Sequence, residues 1–287
     1  MNTIPFCKFH GFGNDYIVIE RVSIPNETSV EDLGRKICHR HTGAGSDGIA
    51  VLEKLDGAEA DYFCEIVNPD GSVAGFSGNG TRCAVSYLYY KKLWSRSALR
   101  LKTRSGVKSY TLLENPAEGT YVFKAEIGQP KFKSSEVPVD GETFETVIDR
   151  EIEVDGRTFL FSGVNVGNPV ACIFVDDFDL DWRHYGRIME THQVFPQRAN
   201  IVFVRIIDDA NIELRIWERG AGETSASGTC SSGAAVLSAF TGRTSRRVSV
   251  HTPGGITKVD WRDEDDEILL TGRAELSYWG EWPVAAI

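Results

Sequence analysis

The chain has 287 residues, with 31 Lys and Arg against 41 Asp and Glu and a net charge of −10 when its six histidines are neutral. That length allows one large domain or two modest ones, and 41% apolar with 25% charged residues excludes a wholly disordered or fibrous chain. The acidic balance excludes nucleic-acid binding through a basic face, no apolar run approaches the ~18 residues of a membrane span, and the opening MNTIPFCKFHGFGND is no basic-then-apolar leader.

Near the N-terminus, Gly13-Asn14-Asp15 leads into the β-branched run Tyr16-Ile17-Val18-Ile19, which predicts a strand. Ser29, with Asp32 three residues on, reads as a capping box opening a helix through Val30, Leu33 and Ile37. The basic run from Arg35 to His41 reads as the solvated end of that helix; His39 and His41 have no third ligand spaced to join them in a metal site. Ser77-Gly78-Asn79-Gly80-Thr81-Arg82-Cys83-Ala84 then opens a helix towards Trp94, residues 120–123 form a strand, and Gly128-Gln129-Pro130 a turn. Beyond it come Gly167-Asn168-Pro169, a strand at 171–175, a helix from about Arg183 to His192, and strands at 201–204 and 212–217. Ser227-Gly228-Thr229-Cys230-Ser231-Ser232-Gly233-Ala234 opens the last helix, towards Phe240. Many short strands with few helices predict an α+β protein of barrels or curled sheets. The six cysteines (Cys7, Cys38, Cys64, Cys83, Cys172, Cys230) form no CxxC pair and read as reduced thiols of a cytoplasmic protein.

The order of these motifs repeats. Ser77-Gly78 and Ser227-Gly228 are 150 positions apart, and Asn14 and Asn168, each ahead of a strand, are 154 apart. Asn68 and Glu218 each lie nine residues before their Ser-Gly pair. Three offsets near 150 predict two similar half-molecules related by a pseudo-twofold, with equivalent motifs facing across a cleft. A Ser-Gly pair at a helix start lets a ligand approach the backbone, where the first N–H groups have no intrahelical partner and the dipole is positive. Two such ends make a seat for a carboxylate or phosphate, with Ser77 and Ser227 flanking it in the geometry of a two-base proton transfer. No P-loop, dinucleotide fingerprint or lysine Schiff-base motif appears, so no cofactor is expected, and the partner is a small molecule; a homodimer is left open.

Over nearly its whole length the chain resembles the diaminopimelate epimerase family. The match is carried by Phe6-Cys7-Lys8 with Gly11 to Asp15, by Arg40 to Gly48, by Asn68-Pro69-Asp70-Gly71-Ser72 and by Ser77 to Cys83. In the second half it is carried by Gly167-Asn168-Pro169, Phe195-Pro196, Glu218 to Thr224, Pro253-Gly254-Gly255 and Thr271-Gly272. The resemblance implies two similar domains, each a β-barrel-like curled sheet around a central helix. It puts the domains at 1–126 with 274–287, and at 127–273. It implies cofactor-independent epimerisation of LL- to meso-diaminopimelate in lysine biosynthesis. By position, Asn14, Asn68, Asn168, Asn200 and Arg219 match the side chains that grip the distal end of the substrate. Gly78, Asn79, Gly228 and Thr229 match the cradles of the reacting carboxylate, and Glu218 a site glutamate.

Three positions depart from the family pattern. The resemblance puts a catalytic cysteine where Ser77 and Ser227 stand, and a histidine where Val170 stands. If serine and thiol differ by about five pKa units, forming an alkoxide costs about 7 kcal/mol more, roughly 10⁵ in rate when nothing compensates. Cys230, one turn into its helix, Cys83 and His10 are alternative bases, although the two cysteines read first as small core fillers. Two other functions stay open: a divergent isomerase, racemase or dehydratase on another small amino or hydroxy acid, and a non-catalytic amino-acid-binding homologue.

Overall fold

The protein is described from a computed structural model covering residues 3–284 except 138 and 142. It separates into two compact units, residues 1–125 with 272–287, and residues 126–271.

In the first unit β1 (Thr3–Gly11) and β2 (Asn14–Glu20) form a hairpin, followed by α1 (Val30–Ile37), β3 (Ile49–Lys54), β4 (Tyr62–Val67) and the short β5 (Val73–Ala74). Then come α2 (Gly78–Tyr90), β6 (Ala98–Thr103), β7 (Gly106–Ala117) and β8 (Thr120–Glu126). The second unit repeats this plan. After an extra strand, β9 (Val147–Val154), it runs β10 (Arg157–Asn165), β11 (Pro169–Phe174), α3 (Trp182–Glu190), β12 (Asn200–Asp208), β13 (Asn211–Glu218) and β14 (Gly222–Thr224). It continues with α4 (Gly228–Phe240), β15 (Arg247–Thr252), β16 (Gly255–Trp261) and the long β17 (Ile268–Pro283), whose later residues belong to the first unit.

Pairing repeats as well. β2 runs parallel to β3 and β4 parallel to β6, just as β11 runs parallel to β12 and β13 to β15, in sheets whose neighbouring strands mostly run antiparallel. A parallel neighbour requires a crossover, and α1 and α2 supply it in the first unit as α3 and α4 do in the second. β17 pairs with both β1 and β8, so the strands of the first unit close on themselves, and β9 holds the equivalent place beside β10.

The two crossover helices of each unit differ in kind. α1 is amphipathic: Val30, Leu33 and Ile37 are buried in a cluster with Ile4, Phe6, Ile17, Ile19 and Ile49. Ser29 caps it by accepting the Asp32 N–H at 3.1 Å. α2 and α4 are instead buried on all sides, from Gly78 to Leu88 and from Gly228 to Ser238, and pack against strands around their circumference. Their small residues permit this. A Cβ on Gly80 would lie 2.9 Å from the Tyr16 ring, and one on Gly233 2.9 Å from the Val170 side chain. Both buried helices begin at a serine, Ser77 ahead of α2 and Ser227 ahead of α4.

Candidate functional site

In the first unit the turn Phe12-Gly13 joins the paired Gly11 and Asn14, with both turn residues at positive φ, 58° and 87°. That left-handed pair is what a two-residue hairpin needs. It sets Asn14 at the start of β2, where its Nδ2 donates to Asp47 Oδ2 at 2.8 Å and its Oδ1 accepts from Asn79 Nδ2 at 3.2 Å. An ionic cluster supports the turn. Arg40 donates to both Asp15 oxygens at 2.9 Å and to Asp47 Oδ1 at 2.6 Å, and Lys8 lies 2.6 Å from Asp15. Burial works to raise the Asp15 pKa, yet Arg40 and Lys8 together hold it below the ordinary carboxylate value. Asn79 is fixed from its other side by Arg82, whose Nη2 donates to Asn79 Oδ1. Arg82 is fully buried with its guanidinium 5.7 Å from the Phe12 ring, and burial lowers its pKa.

Ser77 is the N-cap of α2, in an extended conformation at φ −138°, ψ 119°. Its Oγ accepts the Gly80 N–H at 3.1 Å and donates to the Tyr16 hydroxyl at 2.9 Å. The N–H groups of Gly78 and Asn79 lie beyond the reach of the helix's own carbonyls and point to its positive end. Asn68, just past β4, donates instead to Ser72 Oγ at 2.9 Å.

The second unit gathers the other predicted side chains. Asn200 is buried, donates to the Pro169 carbonyl at 3.0 Å, and through its Oδ1 accepts the Arg219 N–H at 3.0 Å. The Arg219 guanidinium is exposed; it donates to the Gln197 carbonyl at 3.2 Å and to Asn168 Oδ1 at 3.5 Å. Asn168, Asn200 and Arg219, far apart in sequence, therefore form one hydrogen-bonded group with a guanidinium at its open edge. Glu218 accepts from Thr224 Oγ1 at 2.9 Å, across the β13–β14 pair. Ser227 caps α4 at φ −146°, ψ 126°, makes no side-chain cap bond, and lies 3.4 Å from Thr229 Oγ1. Both residues are buried.

The alternative bases fare differently. Cys83 and Cys230 are completely buried; burial pushes the Cys83 thiol up to about 12 and raises Cys230 well above its ordinary value, with Glu218 adding to the rise. Both act as small core fillers. His10 Nδ1 accepts the Gly13 N–H at 3.4 Å and so ties the hairpin. Val170, fully buried, presses on the α4 backbone at Gly233. Sequence reading did not single out Tyr16, Asp47 or Arg82. Tyr16 was absorbed in an apolar strand run, and Asp47 and Arg82 stand inside motifs whose glycines gave the signal. Among the described residues no cluster of three or more His, Cys, Asp or Glu is arranged to hold a metal, and no helix is long and apolar enough to cross a membrane.

A family model for diaminopimelate epimerase matches residues 6–132 and 162–277. Among curated relatives, the diaminopimelate epimerase of Caldanaerobacter subterraneus subsp. tengcongensis is 39% identical over 96% of this chain and 98% of its own. That of Pelotomaculum thermopropionicum is 36% identical over 97% and 98%. Among solved structures, a hydroxyproline epimerase from Agrobacterium vitis with bound trans-4-OH-L-proline superposes with a TM-score of 0.74 at 14% identity, covering 99% of this chain and 93% of that one. A probable proline racemase from Agrobacterium radiobacter K84 gives 0.70 at 16% identity over 98% and 92%. At such identities these two show a shared fold.

Proposed function

Because the chain belongs to the diaminopimelate epimerase family of isomerases, we propose that it interconverts LL- and meso-diaminopimelate by moving the proton on one α-carbon, with Ser77 and Ser227 as the acid–base pair. The observation that carries this reading is the Asn168–Asn200–Arg219 group. A guanidinium fork backed by two amides suits the distal carboxylate and ammonium of a diamino diacid, because Arg binds a planar carboxylate with parallel hydrogen bonds and Asn offers both donor and acceptor. The family resemblance adds Asn14 and Asn68 to the substrate contacts. Nothing in proton transfer at one carbon needs a second amino-acid end; its recognition is a specificity device.

The N–H groups of Gly78 and Asn79 at one helix head, and of Gly228 and Thr229 at the other, match the cradles of the reacting carboxylate that the family resemblance implies. As the α-proton leaves, charge spreads onto that carboxylate, and fixed N–H dipoles stabilise the developing enediolate more than the ground state. One serine oxygen takes the proton as its own hydroxyl proton passes to a neighbouring acceptor or water; the other hydroxyl delivers one to the opposite face and regains its own from water. Glu218, which accepts from Thr224 Oγ1, stands where the family resemblance implies a site glutamate.

Proton NMR in D₂O tests the reading. The chain incorporates deuterium at the α-position of both LL- and meso-diaminopimelate; absence of uptake at high enzyme concentration overturns it. Ser77, Ser227 and Val170 favour a second reading, isomerisation of another small amino or hydroxy acid. An exchange panel of such acids separates it from the first: uptake confined to an acid other than diaminopimelate selects the second.

A further inference from the structure

A serine is a weak base unless something takes its own proton, and the first unit supplies a candidate for that. We propose that Tyr16 is a further acid–base residue on the Ser77 side, acting in its phenolate form: as Ser77 Oγ takes the α-proton of the substrate, the Ser77 hydroxyl proton passes to Tyr16 Oη. The idea rests on the epimerase reading above, and it makes Ser77 a relay. The Cα–H bond breaks and its electron pair stays on the α-carbon and carboxylate. One proton arrives at Ser77 and one leaves it for Tyr16, so Ser77 ends as it began and Tyr16 becomes a neutral phenol. In the reverse step the phenol returns the proton through Ser77 to the carbanion. No free alkoxide forms on this side.

The geometry fits each part. A hydroxyl has one proton and two lone pairs. The Ser77 proton points at Tyr16 Oη, 2.9 Å away, and one lone pair accepts the Gly80 N–H at 3.1 Å. The second lone pair is left for an incoming proton. The Tyr16 ring is held firmly in place. It is 6% exposed and wedged between two glycines, where a Cβ on Gly48 or on Gly80 would come within 2.8 or 2.9 Å of it. Ring and helix head are thus locked together, which is what a short proton path demands. The duplication provides a control. The position equivalent to Tyr16 holds Val170, which has no proton to exchange with Ser227, so the arrangement is no by-product of the fold. The acidities agree with the role. A phenol is by nature a far stronger acid than an alcohol, so passing the Ser77 proton to Tyr16 costs less than leaving a free alkoxide.

The test is a cycle of Tyr16→Phe with Ser77→Cys, read by α-deuterium exchange and by kcat and KM for diaminopimelate. Phenylalanine keeps the ring in its slot, and melting curves check that the variants fold. In the native background Tyr16→Phe lowers kcat about 10²-fold with KM unchanged. In the Ser77→Cys background, where the thiol ionises by itself, the same change costs less than about threefold. Equal losses in both backgrounds assign Tyr16 a packing role and overturn the proposal. A native chain that turns over with Tyr16→Phe matching it overturns the proposal alone. Silence of the native chain and of both single variants towards diaminopimelate overturns the epimerase reading and the Tyr16 role together.

Discussion

The heads of α2 and α4 are the same device built twice and finished differently. Each begins at a serine in nearly the same extended conformation, and each helix is buried for its first eleven residues. Yet Ser77 caps its helix and donates to Tyr16, whereas Ser227 makes no cap bond and has Thr229 as neighbour. The hairpins ahead of them diverge in the same way. Where the first unit has Asp15, clamped by Lys8 and Arg40, the second has Pro169, whose carbonyl accepts from the neutral amide of Asn200. Duplication has kept what the backbone needs: an extended cap, a parallel crossover, and small residues where strand and helix touch. It has let go of the side chains that handle protons and charge. What differs is the surroundings: the first unit sets a second hydroxyl beside its serine, and the second sets a guanidinium beside its asparagines.

Replacing each serine tests that contrast most directly. Ser77→Ala and Ser227→Ala each lower epimerisation about 10²–10⁴-fold, the usual contribution of a positioned acid or base. Deuterium exchange without inversion then survives in opposite variants for LL- and meso-substrate, because each variant keeps the base for one face. Arg219→Lys comes next. The point charge remains but the fork is lost, so kcat/KM falls about 10²-fold, carried by KM, with little effect on kcat. A fall in kcat alone would argue against a substrate-gripping role for Arg219.

Much of this was legible in sequence because it is local. Ser-Gly at 77 and 227, Gly13 and Gly167 at their turns, and Ser29 at its helix all state a backbone requirement within a few residues, and the structure has a turn or helix start at each. Strands β3, β4, β6, β7, β9, β10 and β15 to β17 went unread; β9, for one, is half charged along VIDREIEV, and the burial of such segments is decided by distant partners. The double pairing of β17 with β1 and β8 has no local signature at all. The Tyr16–Ser77 bond spans 61 positions, and a tyrosine opening an apolar run looks like any other strand residue. Grouping Asn168, Asn200 and Arg219 needed the resemblance, since buried asparagines as often tie loops together.

A packing test sharpens the contrast between the two helix heads. Gly233→Ala puts a methyl against Val170, which is branched, fully buried and unable to retreat, so it costs about 1–3 kcal/mol in urea unfolding. Val170→Ala in the same chain recovers part of that loss, because the two side chains compete for one space. Two independent, additive losses would show that Val170 is not what keeps residue 233 small.

The smallest effect concerns the two hairpins and acid. Lys8 and Arg40 hold the folded-state pKa of Asp15 below its unfolded value near 3.9. A depressed carboxylate contributes its stability in full above the unfolded pKa, and that stability drains away as pH falls through the folded one. The loss cannot exceed about 1.4 kcal/mol per pH unit for a single group, since one proton is taken up. The β10–β11 hairpin has Pro169 at the corresponding place and no carboxylate to titrate. Native-state amide exchange of β1–β2 should therefore accelerate relative to β10–β11 as pH drops from 5 towards 3, after correction for the intrinsic rate. Asp15→Asn should remove the difference in slope while loosening β1–β2 at pH 7, because Lys8 and Arg40 lose their shared acceptor. If both hairpins loosen in parallel, the ionic cluster is a surface ornament, and what holds Asn14 is the Phe12-Gly13 turn and Asn79.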